Sequence, residues 1–140
     1  MKILFICTGN SCRSQMAEGI LKSFDKPFSV HSAGVNPEKK ISPFAVKVMN
    51  EIGIDISKNT TKDIKDFKDE NFDYLITLSE KAKNKCEQLD INVKESLHFD
   101  IKDPFEATGN NEEILLLYRK VRNEITTVIQ NIFSNVTVKN

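Results

Sequence analysis

The chain has 140 residues, with 20 Lys or Arg balanced by 20 Asp or Glu, so its formal net charge is zero. This length suits one domain spanning residues 1–140, and the charge balance excludes an overall basic surface for nucleic acid or anionic membranes. The apolar run at residues 3–6 is too short for a signal sequence or a membrane span. We therefore expect a cytoplasmic protein whose three cysteines, Cys7, Cys12 and Cys86, are reactive or buried thiols rather than structural disulfides.

Strand patterns and helix patterns alternate along the chain. Short runs rich in Ile, Leu, Val or Phe predict β-strands at residues 2–6, 28–32, 74–78 and 96–99. Apolar residues at helical spacing predict helices at residues 14–24, 79–89 and 112–133, and another between a capping Ser42 and a terminating Gly53. The polar segment 57–70 is expected to be a solvated helix and loop, and residues 134–140 are expected to fray. The alternation predicts an α/β fold, in which helices cover both faces of a parallel sheet.

The loop between the first strand and the first helix reads CTGNSCRS, residues 7–14. In a parallel α/β sheet such a loop lies at the carboxyl edge, where ligands usually bind. Gly9 permits an unusual backbone angle, and the N-terminus of the next helix adds partial positive charge, so the loop is expected to hold an anion. Arg13 offers a planar fork for two oxyanion oxygens and favours the thiolate of Cys7, to which Ser14 can donate a hydrogen bond. The expected oxyanion-binding residues are Thr8, Gly9, Asn10, Ser11, Cys12 and Arg13.

Residue spacing excludes several other kinds of site at this loop. The sequence has neither the G-x-x-x-x-G-K-[ST] pattern of a Walker loop nor the glycine spacing of a dinucleotide fingerprint. Its three cysteines and two scattered histidines lack a second ligand pair for zinc. If Cys7 were only a buried apolar residue, the adjoining Gly9 and Arg13 would be unexplained. Two interpretations of Cys12 stay open: a packing residue, or a thiol that traps oxidised Cys7 in a reversible disulfide.

The stretch CTGNSCRSQMAEG resembles the start of the low-molecular-weight tyrosine phosphatase superfamily, and specifically its thioredoxin-type arsenate reductase branch. The resemblance continues through SAGVNP at 32–37, GIDIS at 53–57, DYLITL at 73–78, DP at 103–104 and YRKVRNEI at 118–125, so it covers nearly the whole chain. It implies an enzyme with a three-layer α/β/α fold around a four-stranded parallel sheet. It also implies that no cofactor is tightly bound.

An enzyme of this kind needs an acid that protonates the departing oxygen. The resemblance assigns this role to Asp103, where Pro104 would stiffen the chain beside the carboxylate. Asp100 is the competing candidate. An ordinary Asp-Pro turn is the structural alternative.

Reduction of arsenate also needs a second thiol, because arsenite leaves only when a thiol attacks the sulfur of Cys7. In the reductases that this chain resembles, the second and third cysteines follow the third strand, at positions that are Ser79 and Cys86 here. Since a hydroxyl cannot take part in disulfide exchange, the usual relay is broken at Ser79. Either Cys86 is a catalytic thiol that attacks directly, or an external thiol does so, from thioredoxin or from glutathione with glutaredoxin. An equally good interpretation is that Cys86 is a buried residue of the third helix.

The same resemblance implies a monovalent cation beneath the loop, held by residues matching Asn10, Glu18 and Ser32. The fourth position, an acid in the family, is Lys62 here, with Asp63 adjacent. We therefore predict no metal site. Asn10 is expected to brace the loop instead.

Three functions are consistent with these observations. The leading one is an arsenate reductase, and the alternative is a tyrosine phosphatase of the same fold that hydrolyses phosphomonoesters through a phosphocysteine. A third is an oxyanion-binding or redox-sensing module without turnover. Ser79 favours the phosphatase, whereas Phe105 stands where tyrosine phosphatases often have tyrosine and so weakens that alternative. The expected partners are arsenate, phosphate or a phosphomonoester and a thiol donor, and the protein is expected to be a monomer that binds neither nucleic acid nor membranes.

Overall fold

The computed structural model describes residues 1–134, so most of the segment expected to fray lies outside the described residues. Four strands form one parallel sheet in the order β2-β1-β3-β4. The strands are β1 (Lys2–Cys7), β2 (Ser29–Gly34), β3 (Asn71–Thr77) and β4 (Asn92–His98). The helices are α1 (Arg13–Lys22), α2 (Pro43–Asn50), α3 (Glu80–Leu89) and α4 (Asn111–Phe133), with short 3-10 helices at Ile64–Phe67 and Pro104–Glu106.

The sheet separates two hydrophobic cores. Alternate residues of β1 point to opposite faces, so Phe5 packs with α1, α2 and α4, whereas Leu4 packs with α3 and the first 3-10 helix. Helix α4 is the largest contributor to the first core, and its N-terminus is fixed by a capping box between Asn110 and Glu113. The predicted three-layer α/β/α fold around a four-stranded parallel sheet is therefore confirmed.

Two segments differ from the sequence-based expectation. Strand β4 begins at Asn92, whereas the sequence predicts a start at residue 96. The prediction misses residues 92–95 because an edge strand has exposed polar side chains and so lacks an apolar run. The segment 57–70 contains only the 3-10 helix Ile64–Phe67, whose two terminal residues are buried. It is therefore a partly buried connection rather than a solvated helix. Among the described residues, no helix has the length and apolar character needed to cross a membrane.

The fold brings three chain segments to one edge of the sheet. Strands β1 and β3 are neighbours, with Ile6 paired to Thr77 at their carboxyl ends. The segment after β3 continues beside β1, because Leu78 N donates to the Ile6 carbonyl at 2.8 Å. The chain after β4 joins it there, since Ile101 N donates to the Leu78 carbonyl at 3.2 Å. Residues that follow β1, β3 and β4 thus share one cleft.

Candidate active site

The loop after β1 curves around the sulfur of Cys7, which is 1% exposed. The backbone N–H of Asn10 donates to Cys7 Sγ at 3.3 Å, and Ser14 Oγ lies 2.8 Å from the same sulfur. Helix α1 begins directly after the loop, at Arg13. The sulfur therefore accepts a backbone hydrogen bond close to the positive end of the α1 dipole.

A chain of hydrogen bonds behind the loop holds Ser14 in place beside Cys7. The Glu18 carboxylate can only accept, so the Ser32 hydroxyl donates to it at 2.5 Å. The amide nitrogen of Asn10 then donates to Ser32 Oγ at 3.0 Å and to Ser14 Oγ at 2.7 Å. The Ser14 oxygen accepts from Asn10 and lies 2.8 Å from Cys7 Sγ, to which its hydroxyl can donate. The chain therefore holds a hydroxyl group against the sulfur.

The shape of the loop is set largely by residues outside it. Asn10 has a left-handed φ of 53°, and its side-chain oxygen accepts from Gln15 Nε2 at 3.0 Å and from the Lys62 backbone N–H at 2.9 Å. Gly34 lies against the loop: a Cβ there would be 2.8 Å from the Thr8 carbonyl oxygen and 2.9 Å from the Asn10 nitrogen. Sequence reasoning misses this role of Gly34, although a glycine at the end of a strand signals close backbone approach.

Arg13 and Asp103 form an ion pair in the wall of the cleft. Arg13 is 5% exposed; its Nη1 donates to a backbone carbonyl at 2.8 Å, and its Nη2 lies 3.4 Å from Asp103 Oδ2. Asp103 Oδ1 accepts from the Phe105 backbone N–H at 3.0 Å and so caps the second 3-10 helix. The capping bond turns the other carboxylate oxygen towards Arg13. The competing candidate, Asp100, is exposed and is not one of the residues that line the cleft.

The cleft between these groups has a volume of about 140 Å³. Because one water occupies about 30 Å³ in the liquid, this volume has room for a tetrahedral oxyanion. Phe105, which is 44% exposed, lies at the rim. The structure thus brings together Cys7, Arg13 and Asp103, with Ser14 behind the sulfur. The cleft is also lined by Thr8, Gly9, Ser11, Cys12, Asn36, Glu38, Lys81 and Glu106.

The side chain of Cys12 is engaged in the core behind the cleft. Its Sγ lies 3.5 Å from the Tyr118 hydroxyl, which in turn is 2.9 Å from Ser42 Oγ. Burial raises the pKa of the Cys12 thiol to about 12. These contacts with α4 are those of a packing residue. The proposed trapping of oxidised Cys7 by Cys12 would require this thiol to leave them.

Ser79, where the resemblance places a second cysteine, is buried next to the loop. Its Oγ is 3.0 Å from Oγ1 of Thr8, the residue that follows Cys7. The same oxygen accepts from the Ala82 backbone N–H at 3.1 Å and caps α3. Ser79 therefore serves as a helix cap next to the loop, and it supplies no thiol to the cleft.

Cys86 lies elsewhere. Seven residues after Ser79, it is about 10 Å further along α3, and it packs with Leu4 and Leu75 in the second core. It lines a separate cavity of about 280 Å³ that also includes His98. Burial raises the pKa of the Cys86 thiol to about 12. The structure thus does not bring this sequence-predicted site residue to the cleft that holds Cys7.

The three cysteines are expected to differ sharply in reactivity. At pH 8, a thiol with a pKa of about 12 is ionised in only about one molecule in 10⁴, which applies to Cys12 and Cys86. Iodoacetamide should therefore modify Cys7 first, and the other two should gain reactivity as pH rises towards 12. Mass spectrometry of peptides after short exposure measures this order. A Cys7→Ser variant should lose the fast modification, and equally fast modification of Cys86 would contradict the expectation.

Comparisons with known proteins match nearly the whole chain. A sequence model of the family described as low molecular weight phosphotyrosine protein phosphatase matches residues 2–140. The chain is 44% identical over 124 residues, 88% of each protein, to an arsenate reductase of Shouchella clausii (strain KSM-K16). A solved structure described as an arsenate reductase in the phosphate binding state superposes with a TM-score of 0.78 at 28% identity, covering 97% of this chain and 98% of that one. A low molecular weight protein tyrosine phosphatase from T. tengcongensis gives a TM-score of 0.76 at 30% identity, covering 97% and 99%.

Proposed function

We propose, from the premise that this chain belongs to the low molecular weight phosphotyrosine protein phosphatase family, that it is an arsenate reductase. The observation that carries the proposal is the hydrogen-bonded sulfur of Cys7 in a cleft sized for an oxyanion. The 44% identity to an arsenate reductase supports arsenate as that oxyanion. In this proposal Cys7 is the nucleophile, Arg13 and the loop hold the arsenate oxygens, and Asp103 is the acid.

The first step forms a bond between sulfur and arsenic. The thiolate of Cys7 attacks the arsenic atom of bound arsenate, and one arsenate oxygen leaves as water after accepting a proton. We propose Asp103 as the donor of that proton, because it lines the cleft together with Cys7. Arg13 carries a permanent charge that balances the oxyanion. Arsenic stays in its +5 state, now bound to Cys7.

The second step needs a thiol from outside the chain. Ser79 offers only a hydroxyl beside Thr8, and Cys86 packs in the other core. In our proposal an external thiolate attacks Cys7 Sγ, the sulfur–arsenic bond breaks, and its electron pair stays on arsenic, which departs as arsenite. The mixed disulfide left on Cys7 is reduced by a further thiol. Thioredoxin, or glutathione with glutaredoxin, are the donors we propose.

Arsenite formation with defined thiols tests this function. With arsenate present, the protein should produce arsenite over many turnovers when thioredoxin and its reductase, or glutathione and glutaredoxin, are added, and it should produce essentially none without a thiol. A Cys86→Ala variant should retain turnover, because Cys86 lies outside the cleft. Failure of every thiol to support turnover, together with brisk hydrolysis of an aryl phosphate, would reject the reductase.

A phosphatase is the second candidate, favoured by the position of Ser79. Hydrolysis of a phosphocysteine requires only water, so the missing thiol is no obstacle. In that case Cys7 attacks phosphorus, Asp103 protonates the departing alcohol oxygen, and water releases phosphate. Aryl phosphate hydrolysis measured beside arsenate reduction separates the two candidates. Wild-type hydrolysis no faster than that of Cys7→Ser would reject the phosphatase.

We further propose that the protein works as a monomer in the cytoplasm. Cytoplasmic thiol donors would keep Cys7 reduced between turnovers. Sedimentation of the purified chain under reducing conditions tests the oligomeric state.

A further inference from the structure

Glu18 is a buried carboxylate beneath the loop of residues 7–14, which we call the nucleophile loop. Only 7% of its side chain is exposed. A charge in such a position is costly unless it is paired and hydrogen-bonded. Ser32 donates to its Oε1, and the ammonium of Lys22 lies 2.6 Å from its Oε2. The ammonium of Lys62 donates to the Thr60 carbonyl at 3.0 Å and lies 4.0 Å from Glu18 Oε1, the oxygen that accepts from Ser32.

Lys62 contacts the loop through its backbone as well. Its N–H donates to Asn10 Oδ1 at 2.9 Å, and its carbonyl accepts from the Gly34 N–H at 2.8 Å. Its side chain is 31% exposed, against 55% for Lys22. Lys62 is thus the less exposed of the two cations, and its backbone is fixed to the same loop that its side chain supports through Glu18.

The oxygens that would hold a monovalent cation here are already engaged. Asn10 Oδ1 accepts two hydrogen bonds, and Ser32 Oγ takes part in two. The Asp63 carboxylate accepts from the Lys65 N–H at 2.9 Å and caps a 3-10 helix. Within residues 1–134, no group of three or more His, Cys, Asp or Glu side chains is arranged to hold a metal ion. The residues present therefore do not fit a bound cation.

We propose that Lys62 is a positioning residue whose ammonium takes the place of a monovalent cation beneath the loop. Its charge balances Glu18, which accepts from Ser32 in the hydrogen-bonded chain that leads through Asn10 and Ser14 to Cys7. Removal of that charge leaves the carboxylate with Lys22 as its one remaining ammonium partner among the described residues. The wild-type protein is consequently indifferent to potassium. This inference holds whichever reaction Cys7 performs.

Lys62→Gln tests the proposal, with Lys65→Gln as the matched control because Lys65 is an exposed lysine of the same segment. Lys62→Arg serves as the conservative variant. Each protein is compared in potassium chloride and in tetramethylammonium chloride, a cation too large to enter, at an ionic strength of about 0.1 M. The readouts are the rate of Cys7 modification by iodoacetamide and the Tm, neither of which depends on the identity of the substrate.

Wild type, Lys65→Gln and Lys62→Arg should give the same rate and Tm in both salts. In both salts, Cys7 of Lys62→Gln should react with iodoacetamide about tenfold more slowly than in the wild type, a loss typical of residues that orient a reactive group through a partner. The Tm of this variant should be lower, because Glu18 keeps only Lys22 as an ammonium partner among the described residues. Equal behaviour of Lys62→Gln and Lys65→Gln would overturn the proposal. So would stimulation or stabilisation of the wild type by potassium, a comparison that decides the matter even if Lys62→Gln fails to fold.

Discussion

Replacement of Cys7 by serine is expected to reduce arsenate reduction and aryl phosphate hydrolysis together, by roughly 10⁴-fold or more. The serine oxygen would occupy the same position between Asn10 and Ser14, but a hydroxyl is not ionised near neutral pH and cannot form the sulfur–arsenic bond. Steady-state kcat/KM for both reactions, measured on the same preparations, checks the expectation. A common loss would show that both chemistries begin at one sulfur.

Cys86→Ala is the matched control for this experiment, since it removes the other candidate thiol and leaves an apolar side chain in the second core. Activity should stay close to that of the wild type under saturating external thiol. A loss comparable to that of Cys7→Ser would instead make Cys86 part of the reaction. It would then have to leave its position on α3 to reach the cleft.

Ser79→Cys is expected to restore an internal second step. The introduced sulfur would lie beside Thr8, where Ser79 Oγ now stands 3.0 Å from the Thr8 hydroxyl. With arsenate and no added thiol, the variant should release about one equivalent of arsenite per protein, because a single disulfide supplies the two electrons. The wild type should release almost none. Arsenite measurement and counting of the free thiols that remain test this outcome.

Two further variants make the result specific. Ser79→Ala removes the hydroxyl and the helix cap, at a cost of about 1 kcal/mol in the free energy of unfolding, but it should release no arsenite. Ser79→Cys combined with Cys86→Ala should behave as Ser79→Cys does. Release of one equivalent by the wild type itself would contradict the need for an external thiol.

The fold is predictable from the sequence because the spacing of apolar residues in most strands and helices reveals which side of each element is buried. The apolar face of helix α4 extends over more than five helical turns. The predicted start of this helix, Glu112, differs from the observed start, Asn111, by one position. The start of strand β4 is not predictable in this way, because this edge strand buries too few side chains to show an apolar pattern. The nucleophile loop is recognisable because its side-chain types are contiguous in sequence.

The support of the loop is much harder to predict, because it is assembled from residues far apart in the chain. Gly34 acts through the absence of a side chain, and Lys62 acts partly through its backbone. Neither contribution leaves a pattern in residue types. The position of Cys86 is a similar case: sequence spacing places it on α3, but only the packing shows that it lies in the second core.

The close approach of Gly34 to the loop has a consequence for how the two steps of the reaction are divided along the chain. The loop after β1 is held by backbone contacts from β2 and from the segment around Lys62, whereas Ser79 caps a different element, α3. In our proposal the loop captures the oxyanion, and the residue at position 79 determines whether the chain itself supplies the second thiol. The two steps then depend on separate segments, and an exchange at position 79 should alter the second step while the capture of the oxyanion stays intact.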